Sequence, residues 1–108
     1  MELMKKHCAP CEGGAQPLGR AQVLPLLSQV PGWQLDADGR RLQKRFDLAS
    51  FPATIALVDR IADLAEAEGH HPDFCVHYKV LELTLTTHAI GGLSENDFIL
   101  AAKIDKLL

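Results

Sequence analysis

Cysteine is scarce and odd in number, three residues in a chain of 108. An odd count leaves a thiol over, so no disulfide framework organises the fold, and free thiols suit a reducing compartment. Aromatic residues make up only 6% of the chain, with a single tryptophan, which makes Trp33 the natural core anchor. No apolar run approaches the ~20 residues that would span a bilayer. The start, Met-Glu-Leu-Met-Lys-Lys, has no hydrophobic region after its lysines, so neither a signal peptide nor a membrane partner is expected and the cytoplasm is the expected location. Basic charge is also in short supply. Eleven Lys and Arg against fourteen Asp and Glu give a net charge of -3, which argues against a phosphate-binding, nucleic-acid surface. Arg40, Arg41, Lys44 and Arg45 form the one local basic cluster, read as the solvated side of a β segment.

What is present is an ordinary globular composition, 47% hydrophobic and 23% charged, in a length that supports one core and one domain over 1–108. Residues 1–18 hold Cys8, Pro10, Cys11, Gly13, Gly14 and Pro17 with little periodicity and read as an extended arm. Cys8-x-x-Cys11 is half a zinc site at most, and it lacks the strand before and the helix after that a thioredoxin-type pair requires. The pair therefore reads as structural or incidental.

Beyond the arm the pattern is regular. Val23, Leu24, Leu27 and Val30 suggest a short helix over about 20–30, ended by Pro31-Gly32. Pro25 inside it costs about 3 kcal/mol unless the helix starts late or kinks. Trp33-Gln34-Leu35 and Arg41 to Phe46, separated by Asp36-Ala37-Asp38-Gly39, predict a hairpin because Asp-Gly supplies the positive backbone angles of a tight turn. Its core-facing residues would be Trp33, Leu35, Leu42 and Phe46. Ser50 caps a helix that carries Pro52 in its first turn and runs to about Glu68, with Ile55, Val58, Ile61, Ala62 and Ala65 as its apolar face. Phe74–Tyr78 and Val80–His88 read as strands, the second alternating Leu81, Leu83, Leu85 inward against Glu82, Thr84, Thr86 and His88. Ser94 opens a last helix that buries Phe98, Ile99, Ala102, Ile104 and Leu107. The order α-β-β-α-β-β-α predicts an α+β fold: a four-stranded antiparallel sheet with about three helices on one face. The other face or a free edge would then be covered by self-association, as a homodimer at least.

The chemistry gathers at Glu66-Ala67-Glu68-Gly69-His70-His71-Pro72 and at His88, which together hold three of the five histidines. Gly69 can take the left-handed conformation that closes a helix, and Pro72 forbids continuation, so His70 and His71 sit at a helix exit. Glu66, four residues before His70, is placed to reach that ring. Three histidines with water would also make a catalytic zinc set. Adjacent histidines in extended chain project to opposite sides, however, so acid/base work without a metal is the expected role.

The run Glu-x-x-x-His-His-Pro, with Tyr78 following, Thr-His at His88, Gly-Leu-Ser-Glu-Asn-Asp at 92–97, the Cys-x-Pro-Cys-Glu-Gly-Gly start and Pro-Gly-Trp at 31–33, resembles the pterin-4a-carbinolamine dehydratases over nearly the whole chain. The resemblance implies the same α+β fold. It further implies conversion of a 4a-hydroxytetrahydropterin such as 4a-hydroxytetrahydrobiopterin to the quinonoid dihydropterin and water, with no cofactor beyond the pterin that is itself the substrate. On that resemblance His70 and His88 would be the acid/base groups, His71 would hold the pterin, and Glu66 and Asp97 would support the site. Asp97 has a second reading, since Ser94-x-x-Asp97 resembles a helix-capping box. Phe74 stands where many relatives carry tryptophan after His-His-Pro-acidic, so stacking could survive while an indole hydrogen bond could not. His77 has no counterpart and reads as solvated. Partners implied are a homodimer or homotetramer and a functional link to an aromatic amino acid hydroxylase. The rival readings are a protein-interaction or dimerisation module without essential catalysis, and a role in molybdopterin metabolism. The sequence does not separate these pathways or say which pterin side chain is used.

Overall fold

Asp36 and Gly39 set the first hairpin. In the computed structural model, which describes residues 3–9 and 16–108, Gly39 takes φ +69°. The Asp36 carboxylate accepts hydrogen bonds from the backbone N–H groups of Arg40 (2.9 Å) and Arg41 (3.1 Å). That turn joins β1 (Gln34–Leu35) to β2 (Leu42–Asp47). A second hairpin, β3 (Asp73–His77) and β4 (Val80–Leu85), adds to it in the order β1-β2-β4-β3, antiparallel throughout. With α1 (Arg20–Leu27), α2 (Phe51–Glu68) and α3 (Glu95–Asp105), the expected α-β-β-α-β-β-α order is complete.

Register decides what faces the helices. Leu42 pairs with Leu85, Lys44 with Leu83 and Phe46 with Leu81, and the five apolar residues of this set are buried with Leu57, Ile61, Phe98, Ile99 and Ile104 in one core. Gln34, Gln43, Arg45, Cys75, His77 and Glu82 lie on the opposite, exposed face. Trp33 is buried as expected, and its indole N–H donates to the Asp105 carboxylate at 3.2 Å. Lys44 departs from the solvated reading. Strand alternation carries it inward with Leu42 and Phe46, where its ammonium bonds Asp105 at 2.8 Å and lies 5.0 Å from the Phe46 ring centroid. Pairing with Asp105 offsets the cost of turning a charge inward.

Other boundaries differ for local reasons. α1 begins at Arg20 and stops at Leu27, keeping Pro25 inside; Ala21, whose carbonyl Pro25 cannot bond, is exposed, so solvent can satisfy that carbonyl. α2 begins and ends as its caps require. Ser50 Oγ accepts from Ala53 N–H at 3.1 Å, and Gly69 at φ +65° returns its N–H to the last turn. The face α2 buries is Thr54, Leu57, Ile61 and Ala65, not the stripe through Ile55, Val58 and Ala62. The helix carries more apolar residues than its contact with the sheet can cover, which leaves Phe51 and Ile55 exposed. In α3, Ala102 and Leu107 are only partly buried, while Asn96, Asp97 and Leu100 join Phe98, Ile99 and Ile104 inside. β3 stops at His77 because Tyr78, at φ +55°, is a turn residue. β4 stops at Leu85. Thr86 and Thr87 then turn inward, with Thr86 Oγ bonding Arg40 O at 2.7 Å and Thr87 N–H bonding Gly92 O at 2.9 Å, and His88 opens a 3-10 turn, His88–Ile90.

The start of the arm is fastened rather than loose. Leu3–Lys5 forms a 3-10 turn packed on α3 with Leu3 buried, and Lys6 pairs with Glu95 at 3.0 Å. Cys11, the second member of the Cys-x-x-Cys pair, lies outside the described residues.

Candidate active site

The two histidines after Gly69 go to different carboxylates. Once Gly69 has turned the chain, His70 N–H bonds Ala65 O. The His70 ring is carried to the start of α3, where Nε2 lies 2.6 Å from Asp97 Oδ1. His71 takes Glu66 instead, Nε2 to Oε1 at 2.6 Å. Glu66 therefore does not reach the ring four residues on, because the left-handed cap removes His70 from helical spacing. His88 Nε2 lies 3.4 Å from Asp73 Oδ2, across the sheet end. Exposure grades these pairs. The His70 side chain is 11% exposed and Asp97 0%, against 59% for His71 and 73% for His88.

Asp97 serves as both a cap and a site residue. Its Oδ2 accepts from Ser94 N–H at 3.0 Å, as the box at the start of α3 requires, and from Thr87 Oγ–H at 2.8 Å, while Oδ1 faces His70. Every one of these partners is a donor if the carboxylate is ionised. His70 then carries its proton on Nε2, which leaves Nδ1 as a bare lone pair, the state of a proton acceptor. Thr87 spends its hydrogen on Asp97, so the Ser94 hydroxyl, 2.8 Å away, donates to Thr87. Sequence reasoning placed Thr87 next to His88 without a role; the signal was the Thr-His pair lying within reach of a capping aspartate.

A cavity of about 390 Å³ opens over these groups, lined by His70, His71, His88, Thr86, Thr87, Gly69, Glu68, Asn96 and the arm residues Cys8 and Ala9. Its volume falls within the range of small-molecule sites. Phe74 and Glu66 are not in it. They line a smaller apolar hollow of about 170 Å³ with Val58, Ile61, Ala62, Pro72 and Leu83, and His71 forms the wall between the two. His77 faces Glu82 at 3.3 Å, exposed on the outer sheet face away from both. Among the described residues no three His, Cys, Asp or Glu side chains converge as a metal site would need.

The arm's anchor is Glu68, the last residue of α2, whose Oε1 accepts from Cys8 N–H at 2.8 Å while Oε2 meets Lys103 Nζ at 2.6 Å and His7 Nδ1 at 3.2 Å. Burial alone would push the Glu68 carboxyl up. The Lys103 ammonium, the Cys8 N–H and His7 outweigh it and hold the group at about 2, below its ordinary 4.5. A carboxyl lowered in the fold contributes stability above its unfolded value and loses it as pH falls from 4.5 towards 2. Between pH 5 and 2 the protein is expected to lose roughly 2–3 kcal/mol more than its Glu68→Gln variant. Chemical denaturation at stepped pH reads this directly; parallel curves for the two proteins would show that Glu68 does not hold the arm.

Known proteins agree with this architecture. The family model described as Pterin 4 alpha carbinolamine dehydratase matches residues 16–107. A Halorhodospira halophila protein named provisionally as a pterin-4-alpha-carbinolamine dehydratase is 48% identical, covering 99% of this chain and 98% of its own. A Dechloromonas aromatica protein of the same provisional name is 46% identical over 98% of this chain and 93% of its own. Among solved structures, a transcriptional coactivator/pterin dehydratase from Brucella melitensis superposes with TM-score 0.81 at 25% identity, over 85% of this chain and 98% of that one. A pterin dehydratase-like protein described as a RuBisCO assembly factor in the alpha-carboxysome gives TM-score 0.62 at 30% identity, over 70% of this chain and 88% of that one. On the match over 16–107 and full-length relatives at this identity, the chain belongs to the pterin-4a-carbinolamine dehydratase family.

Proposed function

We propose that the protein is a hydro-lyase that converts a 4a-hydroxytetrahydropterin to the quinonoid dihydropterin and water, in the recycling of an aromatic amino acid hydroxylase's cofactor. The observation that carries this is the His70–Asp97 pair, 2.6 Å apart and almost wholly buried, whose histidine lines a cavity together with His71 and His88. The reaction breaks the carbon–oxygen bond, sends a proton to the departing oxygen and removes one from the neighbouring ring nitrogen. No electrons are exchanged with any other reagent. His70, with Nδ1 bare, takes the nitrogen's proton. His88, exposed and beside Asp73, gives a proton to the hydroxyl, and His71, braced by Glu66, holds the ring. Both proton carriers are histidines, whose two ring nitrogens can take up a proton or give one. The reaction calls for no metal and no cofactor besides the pterin.

The test follows the decay of a freshly generated 4a-hydroxytetrahydropterin with and without protein, since spontaneous dehydration sets the baseline. Acceleration is expected without added metal and with the rate unchanged by a chelator. Activity lost to chelator and restored by zinc would overturn the acid/base account.

A second reading has one observation in its favour. Phe51 and Ile55 on α2 and Phe74 on β3 are exposed apolar side chains, and solved relatives include a coactivator and an assembly factor. A protein-interaction role would use these residues and leave the histidines idle, so a chain inert towards the pterin would favour it. The same exposed residues, with the free edge of β3, support a homodimer or homotetramer as the assembled form.

A further inference from the structure

We propose that Cys8 and Ala9, which lie outside the family-matched stretch 16–107, form the specificity wall of the histidine cavity and set which substituents of the bicyclic substrate can enter. The proposal rests on the dehydratase reading and deepens it. Both residues line the cavity that holds His70, His71 and His88. Their main chain is fixed from two sides. Cys8 N–H donates to Glu68 Oε1 at 2.8 Å. Ala9 is gripped at both its amide and its carbonyl, N–H to Asn96 Oδ1 at 2.9 Å and O from Asn96 Nδ2 at 2.6 Å.

The anchors are the neighbours of the catalytic groups. Glu68 stands two residues before His70 and ends the helix whose cap turns that histidine into place. Asn96 precedes Asp97 in the first turn of α3. The wall and the His70–Asp97 pair are therefore held by the same two helix ends, and the arm cannot shift without disturbing contacts to one of them. A side chain fastened this closely discriminates by size, since a single added methylene in a close-fitting pocket is worth about 10–200-fold.

The chemistry of Cys8 fits a contact and not a reagent. Its Sγ points at Asn96 O, 3.6 Å away, and burial, with the Glu68 carboxylate beside it, pushes the thiol up to about 12. The thiolate that nucleophilic or zinc chemistry would require is only a trace near neutrality. What remains is a small, polarisable, neutral surface beside the imidazole, hydroxyl, amide and carboxylate groups of the cavity.

The experiment uses a Cys11→Ser, Cys75→Ser parent, in which Cys8 is the remaining thiol. Its modification by excess methyl methanethiosulfonate is timed by mass spectrometry at mildly alkaline pH, where the small thiolate fraction is enough for this fast reagent, with and without 7,8-dihydrobiopterin, a pterin that does not dehydrate, whose binding is followed separately by calorimetry. Bound pterin is expected to slow modification of Cys8 about tenfold or more, because such sites cover most of a ligand's surface. In the same parent, Cys8→Trp is expected to raise KM about tenfold or more, with kcat changed less than about threefold. Its preference between a pterin with and one without a side chain at carbon 6 should also change. Should Cys8→Trp fail to fold, the protection measurement decides alone. Pterin that binds and leaves Cys8 unprotected overturns the wall. Protection without dehydration would uphold the wall while removing the enzymatic reading, and a protein that binds no pterin removes both.

Discussion

Changing His70 and His88 together to alanine is expected to lower kcat, corrected for spontaneous dehydration, by roughly 10²–10⁴-fold, more than either change alone. The two single variants should differ in another respect. His88 is exposed, so His88→Ala should leave stability nearly untouched. His70→Ala strips Asp97 Oδ1, in a fully buried carboxylate, of its partner, and an unsatisfied buried acceptor costs about 1–3 kcal/mol. Circular dichroism and denaturation of each variant therefore accompany the kinetics, so that lost folding is not read as lost catalysis. His71→Ala, which removes the ring braced by Glu66, should raise KM more than it lowers kcat. An unaltered corrected kcat in the folded double variant would take both histidines out of the mechanism and leave the cavity as a binding site alone.

How far the sequence could be read depended on range. Gly69, Pro72, Ser50 and Asp36 to Gly39 act within a few residues of themselves, and the caps and turns they imply are found where expected. Alternation in β2 and β4 was equally legible, and Lys44 fails only because its charge was weighed above its position in that alternation. The α2 stripe is a different matter. Two apolar faces compete on that helix, and the choice between them is made by the sheet it lies on, which the helix's own periodicity does not record. Pairings across many residues were the least legible. Glu66 is the residue expected at His70, with Asp97 only supporting the site or capping the last helix, and the turn at Gly69 and the approach of α3 decide that Asp97 takes His70 and that Glu66 takes His71. The fastening of Cys8 and Ala9 by Glu68 and Asn96 spans about 60 and 87 residues and left no local mark, since a Cys-Gly-Pro-rich start reads as loose chain.

Asp97→Asn tests the tautomer on which the chemistry depends. The amide keeps the shape of the carboxylate but has one acceptor oxygen, and the surrounding donors compete for it. Ser94 N–H is a backbone donor that cannot rotate, 3.0 Å from Oδ2, and the start of α3 is held by that bond. The amide oxygen therefore stays at Ser94 and the NH₂ turns to His70, while the Thr87 hydroxyl, free to rotate, adjusts. An NH₂ facing Nε2 requires a lone pair there, so the His70 proton moves to Nδ1 and the ring presents a donor where the reaction needs an acceptor. The expected loss in kcat is roughly 10²–10⁴-fold, the scale of general-base catalysis and of the wrong-tautomer effect in catalytic triads. The expected cost in stability is only about 1 kcal/mol, since the hydrogen-bond count is kept. Asp97→Ala, by contrast, leaves Ser94 N–H and Thr87 Oγ without their acceptor and should cost about 2–4 kcal/mol as well as activity. Nitrogen-15 NMR of the imidazoles identifies the tautomer independently of rate. Asp97→Asn that moves the proton to Nδ1 and still loses less than about threefold in kcat would show that His70 does not act as the base through Nδ1, whereas a retained Nε2–H signal would show that Asp97 does not set the tautomer.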